Sequence, residues 1–292
     1  MFSDVTAQNV IVPTPFARYV IVHYHIFKNG GSTIEFILQR MFRERFARLH
    51  GRGTEATLDA ADLRGFLRKY PEVAAVSSHH LRYPKPALRD SIVFDCCFLR
   101  HPLQRIRSIY TYLRKLESTD ALCQLARRLT APAFARHLID RLPHLISNVQ
   151  VIQLSRAGRF TRPASQQDLD LATAILQDMA IPGVVEMFDE SLVAAEYFLQ
   201  PAFPAIGCEY VAQNLTREPH VGVADPESEL AEYWGAGVQE DLVRLNEFDL
   251  ELHRRARREV VRRLGLVPSP VEKLAQFQSR CSRLYTEAAK AS

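Results

Sequence analysis

The sequence contains the stretch Tyr19-Val20-Ile21-Val22-His23-Tyr24-His25-Ile26, which runs through Phe27 into Lys28-Asn29-Gly30-Gly31-Ser32-Thr33-Ile34-Glu35. The first segment is a continuous apolar, β-type run, typical of a strand that a parallel sheet buries on both faces. In the second segment the glycines lack Cβ, so backbone N–H groups can close around the oxygens of an anion. The start of the following helix adds unpaired N–H donors. This order predicts a site for a phosphate-like anion, with Lys28 as its mobile charge.

The same segment also permits a plainer interpretation, a tight strand-to-helix turn beside a solvated lysine. In the nucleotide-binding pattern G-x-x-x-x-G-K-[ST] the lysine follows the glycines. Here Lys28 precedes Gly30 and Gly31, and no first glycine lies upstream. This spacing disfavours an ordinary nucleoside triphosphatase.

Apolar runs and turn residues predict strands and helices in alternation, which indicates a parallel α/β sheet with crossover helices. The predicted strands after the first are Val73–Ser77, Ile92–Leu99 and Pro182–Met187. The predicted helices are Ser32–His50 with Ser32 as N-cap, Asp59–Tyr70, Leu103–Leu116, a helical region 119–180 with breaks near 130–132 and 157–165, Asp189–Leu199, Glu227–Leu264, and a final helix beyond Pro270. Residues 1–17 are predicted to be a leader, and 201–226 a loop-rich segment.

Composition limits the classes of function. The chain has 292 residues, 47% of them hydrophobic and 24% charged, which is typical of a globular protein with a substantial core. The net charge of +4 is too small to favour nucleic-acid binding. The five cysteines include no C-x-x-C pair, which disfavours a disulfide framework or a zinc site. No apolar stretch reaches membrane-spanning length and no signal-type N-terminus is visible, so we expect no membrane span. We expect either a cytoplasmic location or that this chain is the excised soluble part of a larger protein.

A second anion-binding pattern follows the strand that ends at Leu99: Arg100-His101-Pro102-Leu103-Gln104-Arg105-Ile106-Arg107-Ser108-Ile109-Tyr110. Arg100 lies at the end of a predicted strand, where ligands gather in open α/β sheets. Ser108 follows about two helical turns later, so it returns to the face on which the helix begins. An arginine fork and a hydroxyl could clamp a second phosphate. Alternatively, the arginines of this helix form a solvated face and Arg100 makes a structural ion pair.

Five segments, in order, resemble conserved motifs of the carbohydrate-type sulfotransferases. The matching segments are His25-Ile26-Phe27-Lys28-Asn29-Gly30-Gly31-Ser32-Thr33 (H-I-P-K-[TN]-G-G-[TS]-[ST] in the family), Arg100-x-Pro102-x-x-Arg105-x-x-Ser108-x-Tyr110 (R-[DN]-P-x-x-R-x-x-S-x-Y), Asn148-x-Gln150 with Leu154 (N-x-Q-x-x-x-L), Gly183–Leu192 (G-L-x-E-x-F-D-E-S-L), and Leu245-Asn246 with Asp249 and Leu252 (L-N-x-x-D-x-x-L). They span about residues 19–256, and chance matches have no reason to keep this order. Two departures from the family matter most: Phe27 replaces a proline, and His101 replaces Asp or Asn.

The resemblance implies a P-loop NTPase-like, three-layer α/β fold with a central parallel sheet and helical additions. It implies a single sulfotransferase domain over 1–292, with a cofactor core at about 18–200 and a helical part at about 201–292. The activity it implies is transfer of the sulfuryl group from 3′-phosphoadenosine 5′-phosphosulfate (PAPS) to an acceptor hydroxyl, on a glycan or glycolipid, with 3′-phosphoadenosine 5′-phosphate (PAP) as product.

By the same resemblance, one loop holds the 5′-phosphosulfate and two further residues hold the 3′-phosphate. The loop residues are Lys28, Asn29, Gly30, Gly31, Ser32 and Thr33, and the 3′-phosphate ligands are Arg100 and Ser108. Lys28 is also a catalytic residue, because it would stabilise charge on the leaving phosphate. No metal is expected, since no carboxylate pair follows a strand in the manner of a magnesium site.

Three residues are candidates for the base that takes the acceptor proton. The family pattern G-H-x-x-[YF] matches His80-x-x-Tyr83, with His79 where the family has glycine, so the resemblance implies His80. Histidine suits proton transfer near neutral pH. His79 and Glu186 remain alternatives, and a structural role is open for each. His25 fits either the cofactor loop or a hydrogen-bonded core position.

Two other functions and one other surface remain open from the sequence. A P-loop small-molecule kinase shares the fold class but requires ATP, magnesium and normally a lysine after the glycines. A non-catalytic module would bind the nucleotide or a glycan without turnover. Arg156, Arg159 and Arg162 form a basic segment that could meet an anionic glycan, or could simply be solvated.

Overall fold

The computed structural model describes residues 18–53, 56–211 and 226–291. Within these residues, five strands form one all-parallel sheet in the order β2-β3-β1-β4-β5. The strands are β1 (Arg18–Tyr24), β2 (Phe46–Arg48), β3 (Ala75–Ser78), β4 (Ser91–Leu99) and β5 (Ile181–Val184). The α/β class with a central parallel sheet, predicted from the alternation of strands and helices, is confirmed.

The central strand β1 has neighbours on both sides. Ile21 pairs with Ala75 of β3 and with Phe94 of β4. Alternate side chains of β1 enter cores on opposite faces of the sheet, which explains why its sequence is apolar throughout.

Twelve helices surround the sheet in the described part of the chain. They are α1 (Gly31–Phe42), α2 (Ala60–Lys69), α3 (Pro102–Lys115), α4 (Ala121–Arg128), α5 (Ala131–Arg141), α6 (Val149–Ser155), α7 (Gln166–Asp178), α8 (Phe188–Leu199), α9 (Pro226–Trp234), α10 (Ala236–Leu245), α11 (Glu247–Leu264) and α12 (Pro270–Ala291).

These helices form a layer on each face of the sheet and a separate cluster. One face carries Val20 and Val22 of β1 together with apolar residues of α2, α6, α7 and α11. The other face carries Ile21 together with residues of α1, α8 and α12. A third core, centred on Phe134 and Trp234, joins α3, α4, α5, α9 and α10. The two layers give the three-layer arrangement, and the third core corresponds to helical additions.

The prediction of one helix from Ser32 to His50 is wrong at both ends. The helix begins at Gly31 with Gly30 as its N-cap, so Ser32 already lies inside the first turn. It ends at Phe42, and Phe46–Arg48 forms the edge strand β2 beside β3. An edge strand of three residues leaves too little apolar pattern to separate it from the helix before it.

Three other predicted boundaries also change. The strand predicted over Pro182–Met187 ends at Val184, and residues 185–187 form a 3₁₀ turn. The helical region 119–180 contains α4 to α7, with an additional break between α5 and α6. The stretch Glu227–Leu264 is three helices, interrupted at Gly235 and Asn246. The predicted leader, 1–17, lies outside the described residues, as does most of the predicted loop 201–226.

The remaining general predictions concern cysteines and membrane spans. All five cysteines are free, and Cys96 and Cys97 are buried in β4. In the ranges that the structure describes, no helix combines the length and the apolar character needed to cross a membrane.

Candidate functional site

A cleft of about 440 Å³ opens at the carboxyl ends of three neighbouring strands. His25 follows β1, His79 follows β3 and Arg100 follows β4, and all three line it. After β1 the chain crosses to β2 at one edge of the sheet, and after β4 it crosses to β5 at the other edge. In parallel α/β sheets this reversal opens a crevice, where ligands bind. The lining consists of His25, Phe27, Lys28, Gly30, Gly31, Ser32, Thr33, His79, Arg100, Ser108, Thr111, Tyr112, Lys115 and Leu116.

Both sequence motifs predicted to bind anions contribute to this one cleft. Five of the six loop residues line it, namely Lys28, Gly30, Gly31, Ser32 and Thr33. Arg100 and Ser108 line it as well, although they lie about 70 residues further along the chain. The structure therefore brings together seven of the eight residues predicted to hold a cofactor.

The loop between β1 and α1 has a backbone that requires glycine. Gly30, with a φ of 75°, is the N-cap of α1. A Cβ on Gly31 would lie 1.8 Å from Nε2 of His25, so any side chain there would overlap the imidazole. The N–H groups of Gly31 and Ser32, at the start of α1, have no partner inside the helix, whereas that of Thr33 donates to the carbonyl of Gly30 at 3.0 Å. They form a donor set at the cleft of the kind that binds anions.

Two arginines at the start of α3 hold the loop from its carbonyl side. Arg100 Nη1 donates to the carbonyl of Lys28 at 3.2 Å, and Arg105 Nε donates to the carbonyl of Phe27 at 3.1 Å. Arg105 is buried, and burial lowers the pKa of its guanidinium to about 10. Arg105 is thus a scaffold of the loop rather than part of a solvated face.

Lys28 extends over an aromatic pair. Its Nζ lies 4.3 Å from the ring centre of Tyr112 and 5.7 Å from that of Phe27. Lys28 itself has a φ of 67°. Burial, followed by the charge of Arg100, lowers the pKa of the Lys28 ammonium. Burial and the charge of Arg100 both disfavour the positive charge of Lys28. An anion bound in the cleft would therefore be attracted by both Lys28 and Arg100.

Asn29 is the loop residue that does not reach the cleft. It is 1% exposed, and its Nδ2 donates to the carbonyl of Phe98 and to Oε1 of Gln150, both at 2.8 Å. Gln150 exchanges two further hydrogen bonds with the backbone of Arg100. The predicted ligand Asn29 is therefore placed as an internal brace that joins the loop to the end of β4.

Gln150 is in turn held by hydrogen bonds between the segment that begins at Asn148 and the segment that begins at Leu245, both of which resemble sulfotransferase motifs. The backbone N–H groups of Gln150 and Val151 donate to the carboxylate of Asp249, at 3.0 and 2.8 Å. Oδ1 of Asn148 accepts from the N–H of Asp249, and the N–H of Asn148 donates to Asn246. The motifs on α6 and α11 thus lock to each other behind the cleft and hold Arg100 in place.

His79 and His80 occupy different environments. His79 lines the cleft, whereas His80 lies outside the lining and its Nδ1 accepts from the N–H of Gly51 at 2.7 Å. Burial, followed by the neighbouring His25, lowers the pKa of His79 to about 4. The ring of His79 contacts that of His25, with centres 3.6 Å apart. The histidine that the resemblance favours, His80, is therefore not the one at the cleft.

Glu186 also lies outside the cleft lining. Its two carboxylate oxygens accept from the backbone N–H of His101 and from Nε2 of His253, both at 2.9 Å. Burial raises the pKa of this carboxyl, but the hydrogen bond from His253 and its charge outweigh that effect and leave the pKa lowered. Glu186 ties the start of α3 to α11, which is a structural position.

One further group at the cleft could hold a cation. His25, Glu35 and His79 each offer one ligand atom, and these atoms all lie within 4.8 Å of one another. His25 Nδ1 and Glu35 Oε1 are 3.3 Å apart. Neither Glu35 nor this grouping was singled out by the sequence analysis, because the three residues come from separate elements.

The basic segment after α6 does not contribute to the cleft. Arg162 donates to both carboxylate oxygens of Asp168, and Arg156 Nη2 donates to the carbonyl of Arg162. Arg156 and Arg162 therefore make local structural contacts. Four further residues line the cleft and were not predicted from the sequence. They lie on or directly after α3 and are Thr111, Tyr112, Lys115 and Leu116. Helical spacing from Ser108 is the signal that could have identified them.

Comparison with known proteins assigns no activity to this chain. No protein-family model matches the sequence. An uncharacterized protein of Archaeoglobus fulgidus is 25% identical over 241 residues, which cover 80% of this chain and 94% of the relative. The match therefore covers most of this chain and nearly all of the relative.

Proposed function

We propose that this protein is a PAPS-dependent sulfotransferase that moves a sulfuryl group to an acceptor hydroxyl, with a carbohydrate as the acceptor class. The observation that carries the proposal is the meeting of two distant sequence motifs, 28–33 and 100–108, in one cleft. Each motif alone is an anion site that many proteins could have. A nucleotide with phosphates at both its 5′ and 3′ positions requires two such sites within one pocket, and this cleft offers both.

The cofactor is held by complementary charge and backbone donors. Lys28 and the first N–H groups of α1 bind the 5′-phosphosulfate end. Arg100 and the hydroxyl of Ser108 bind the 3′-phosphate, where a guanidinium gives charge-assisted hydrogen bonds. The cleft volume of about 440 Å³ is within the usual range for small-molecule sites.

In the transfer step the acceptor oxygen attacks sulfur in line with the departing phosphate oxygen. A new O–S bond forms while the bond between sulfur and the bridging oxygen breaks, and PAP leaves with the bonding electrons. Lys28 neutralises the charge that develops on that bridging oxygen. Because the lysine is placed before the reaction, it lowers the barrier without reorganisation at the moment of transfer.

His79 is the base that we assign to the acceptor proton. It lines the cleft, and its lowered pKa keeps the imidazole neutral at pH 7, the form that accepts a proton. This assignment departs from the resemblance, which favours His80. The hydrogen bond that His80 accepts from Gly51 occupies one of its ring nitrogens away from the cleft.

The proposal is tested by incubating the protein with radiolabelled PAPS and a panel of hydroxyl-bearing glycans. Transfer of label to an acceptor, abolished in Lys28→Ala, is the expected result. Turnover of magnesium ATP by the wild-type protein, with no binding of PAP, would replace the proposal with a kinase. Binding of PAP without transfer to any acceptor would instead support a non-catalytic module.

A further inference from the structure

We propose that His25, Glu35 and His79 form a binding site for one divalent transition-metal ion of the Zn²⁺ type, open to the cleft. The three side chains come from three elements that meet at the carboxyl edge of the sheet. His25 follows β1, Glu35 lies on α1 and His79 follows β3. Their ligand atoms all lie within 4.8 Å of one another. The proposal concerns binding by these residues and holds whether or not the sulfotransferase proposal does.

One of the ligand spacings matches that of a bound metal ion, and the group as a whole is somewhat wider. Zinc bonds to imidazole nitrogen and carboxylate oxygen are about 2.0–2.2 Å long, so neighbouring ligands of a tetrahedral site lie roughly 3.3–3.6 Å apart. His25 Nδ1 and Glu35 Oε1 are 3.3 Å apart in the structure. The ring of His79 lies 3.6 Å from that of His25 at an angle of 31°, so His79 has to turn before its nitrogen points at the same ion as His25 Nδ1.

The donor set identifies the class of metal. Two imidazole nitrogens and one carboxylate oxygen suit zinc and neighbouring transition metals, whereas magnesium and calcium prefer oxygen ligands alone. Three protein ligands also leave a fourth position for water or a ligand. Both histidines line the cleft, from which such a ligand would enter.

A second layer of side chains orients the carboxylate. Arg48 Nε donates to Glu35 Oε2 at 2.7 Å, and Ser77 Oγ donates to Oε1 at 3.0 Å. His23 in turn contacts Ser77 Oγ through Nδ1 at 2.9 Å. Metal-binding carboxylates and histidines are usually fixed by such outer hydrogen bonds. The same bonds would also stabilise a metal-free triad, which is the alternative that the experiment must exclude.

Metal binding has a consequence for catalysis, and this consequence alone rests on the proposed function. A His79 nitrogen that coordinates a metal cannot accept the acceptor proton, so occupancy and base catalysis exclude each other at that nitrogen. We therefore expect Zn²⁺ to inhibit sulfuryl transfer reversibly, with chelator restoring activity.

The test uses the full chain, stripped with chelator, with no nucleotide present. Titration with Co²⁺ followed by visible absorption, and with Zn²⁺ by calorimetry, should give one site per chain. His79→Asn and Glu35→Gln should weaken binding at least tenfold, whereas His80→Asn, a neighbour outside the group, should bind as the wild type does. Absence of a stoichiometric site, or equal affinity in His79→Asn, would overturn the inference.

A measurement on the wild-type protein covers the case in which a variant fails to fold. Zn²⁺ should protect His79 from diethylpyrocarbonate, mapped by mass spectrometry, and leave the modification of His80 unchanged. Equal modification of His79 with and without Zn²⁺ would contradict the site. Because neither readout uses PAPS, failure of the metal site and failure of the proposed function remain distinguishable.

Discussion

The two sides of the cleft are built differently. The loop side, comprising residues 28–33 with Arg100 and Ser108, is supported by buried residues: Asn29 is 1% exposed and Arg105 5%. The helix rim comprises Tyr112, Lys115 and Leu116, together with the side chain of Phe27, which extends from the loop to contact Tyr112. These side chains are exposed, with Phe27 39% and Tyr112 38% exposed. A rigid side suits a cofactor of constant shape, and an exposed apolar and cationic rim suits a variable acceptor. We infer that the loop side binds the cofactor and determines the reaction, whereas the helix rim determines which acceptor binds.

The largest effect should come from the charge on the loop side. Under the proposed mechanism, Lys28→Ala removes the cation beside the departing phosphate, so kcat should fall by about a thousandfold, comparable to loss of an oxyanion donor. Steady-state assays with radiolabelled PAPS measure it. Lys115→Ala is the matched control on the helix rim, where kcat should change much less. Similar losses in both variants would remove the distinction between the two sides.

Arg100→Ala should mainly weaken cofactor binding. Loss of the guanidinium from the 3′-phosphate site should raise the Kd for PAP by about a hundredfold, equivalent to about 2.7 kcal/mol. Calorimetry measures this affinity. Arg107→Ala is the control, because Arg107 pairs with Glu229 outside the cleft lining. An unchanged Kd for PAP in Arg100→Ala would show that this arginine does not bind the 3′-phosphate.

Asn29→Ala tests the buried brace behind the loop. It removes the donor to Phe98 and Gln150, so the free energy of unfolding should fall by about 2–3 kcal/mol. Denaturant titration measures it, with Gln166→Ala as an exposed control on α7. If stability is unchanged while PAP binding is lost, Asn29 is a direct cofactor ligand, as the sequence resemblance implies.

The smallest effect on the cofactor is expected at the helix rim. Tyr112→Ala removes the ring beneath the Lys28 ammonium, a contact of about 0.5–1 kcal/mol, so PAP affinity should change by less than about fivefold. The KM for the acceptor should rise more than the Kd for PAP. If the Kd for PAP rises and the KM for the acceptor does not, the helix rim binds the cofactor rather than the acceptor.

The same contrast explains how much could be predicted from the sequence. Buried strands and the glycine turn have strong local patterns, so β1, β4 and the loop residues were identifiable. The internal role of Asn29 was not, because its partners Phe98 and Gln150 are distant in sequence and only the fold brings them near.

Orientation at strand ends was the other obstacle. Consecutive side chains along an extended segment point to opposite sides, so the pattern Ser78-His79-His80 leaves open which histidine faces the cleft. Likewise, Ser32 has the chemistry of an N-cap, but the left-handed backbone at Gly30 starts the helix earlier. Short elements such as β2 depend on sheet pairing rather than on local sequence.

The most direct test of the central claim is a calorimetric comparison of PAP with adenosine 5′-phosphate on the wild-type protein. If one cleft holds both phosphate ends of a single nucleotide, PAP should bind with a stoichiometry of one and about a hundredfold more tightly than adenosine 5′-phosphate. Equal affinity for the two nucleotides, or binding of magnesium ATP but not of PAP, would contradict the account.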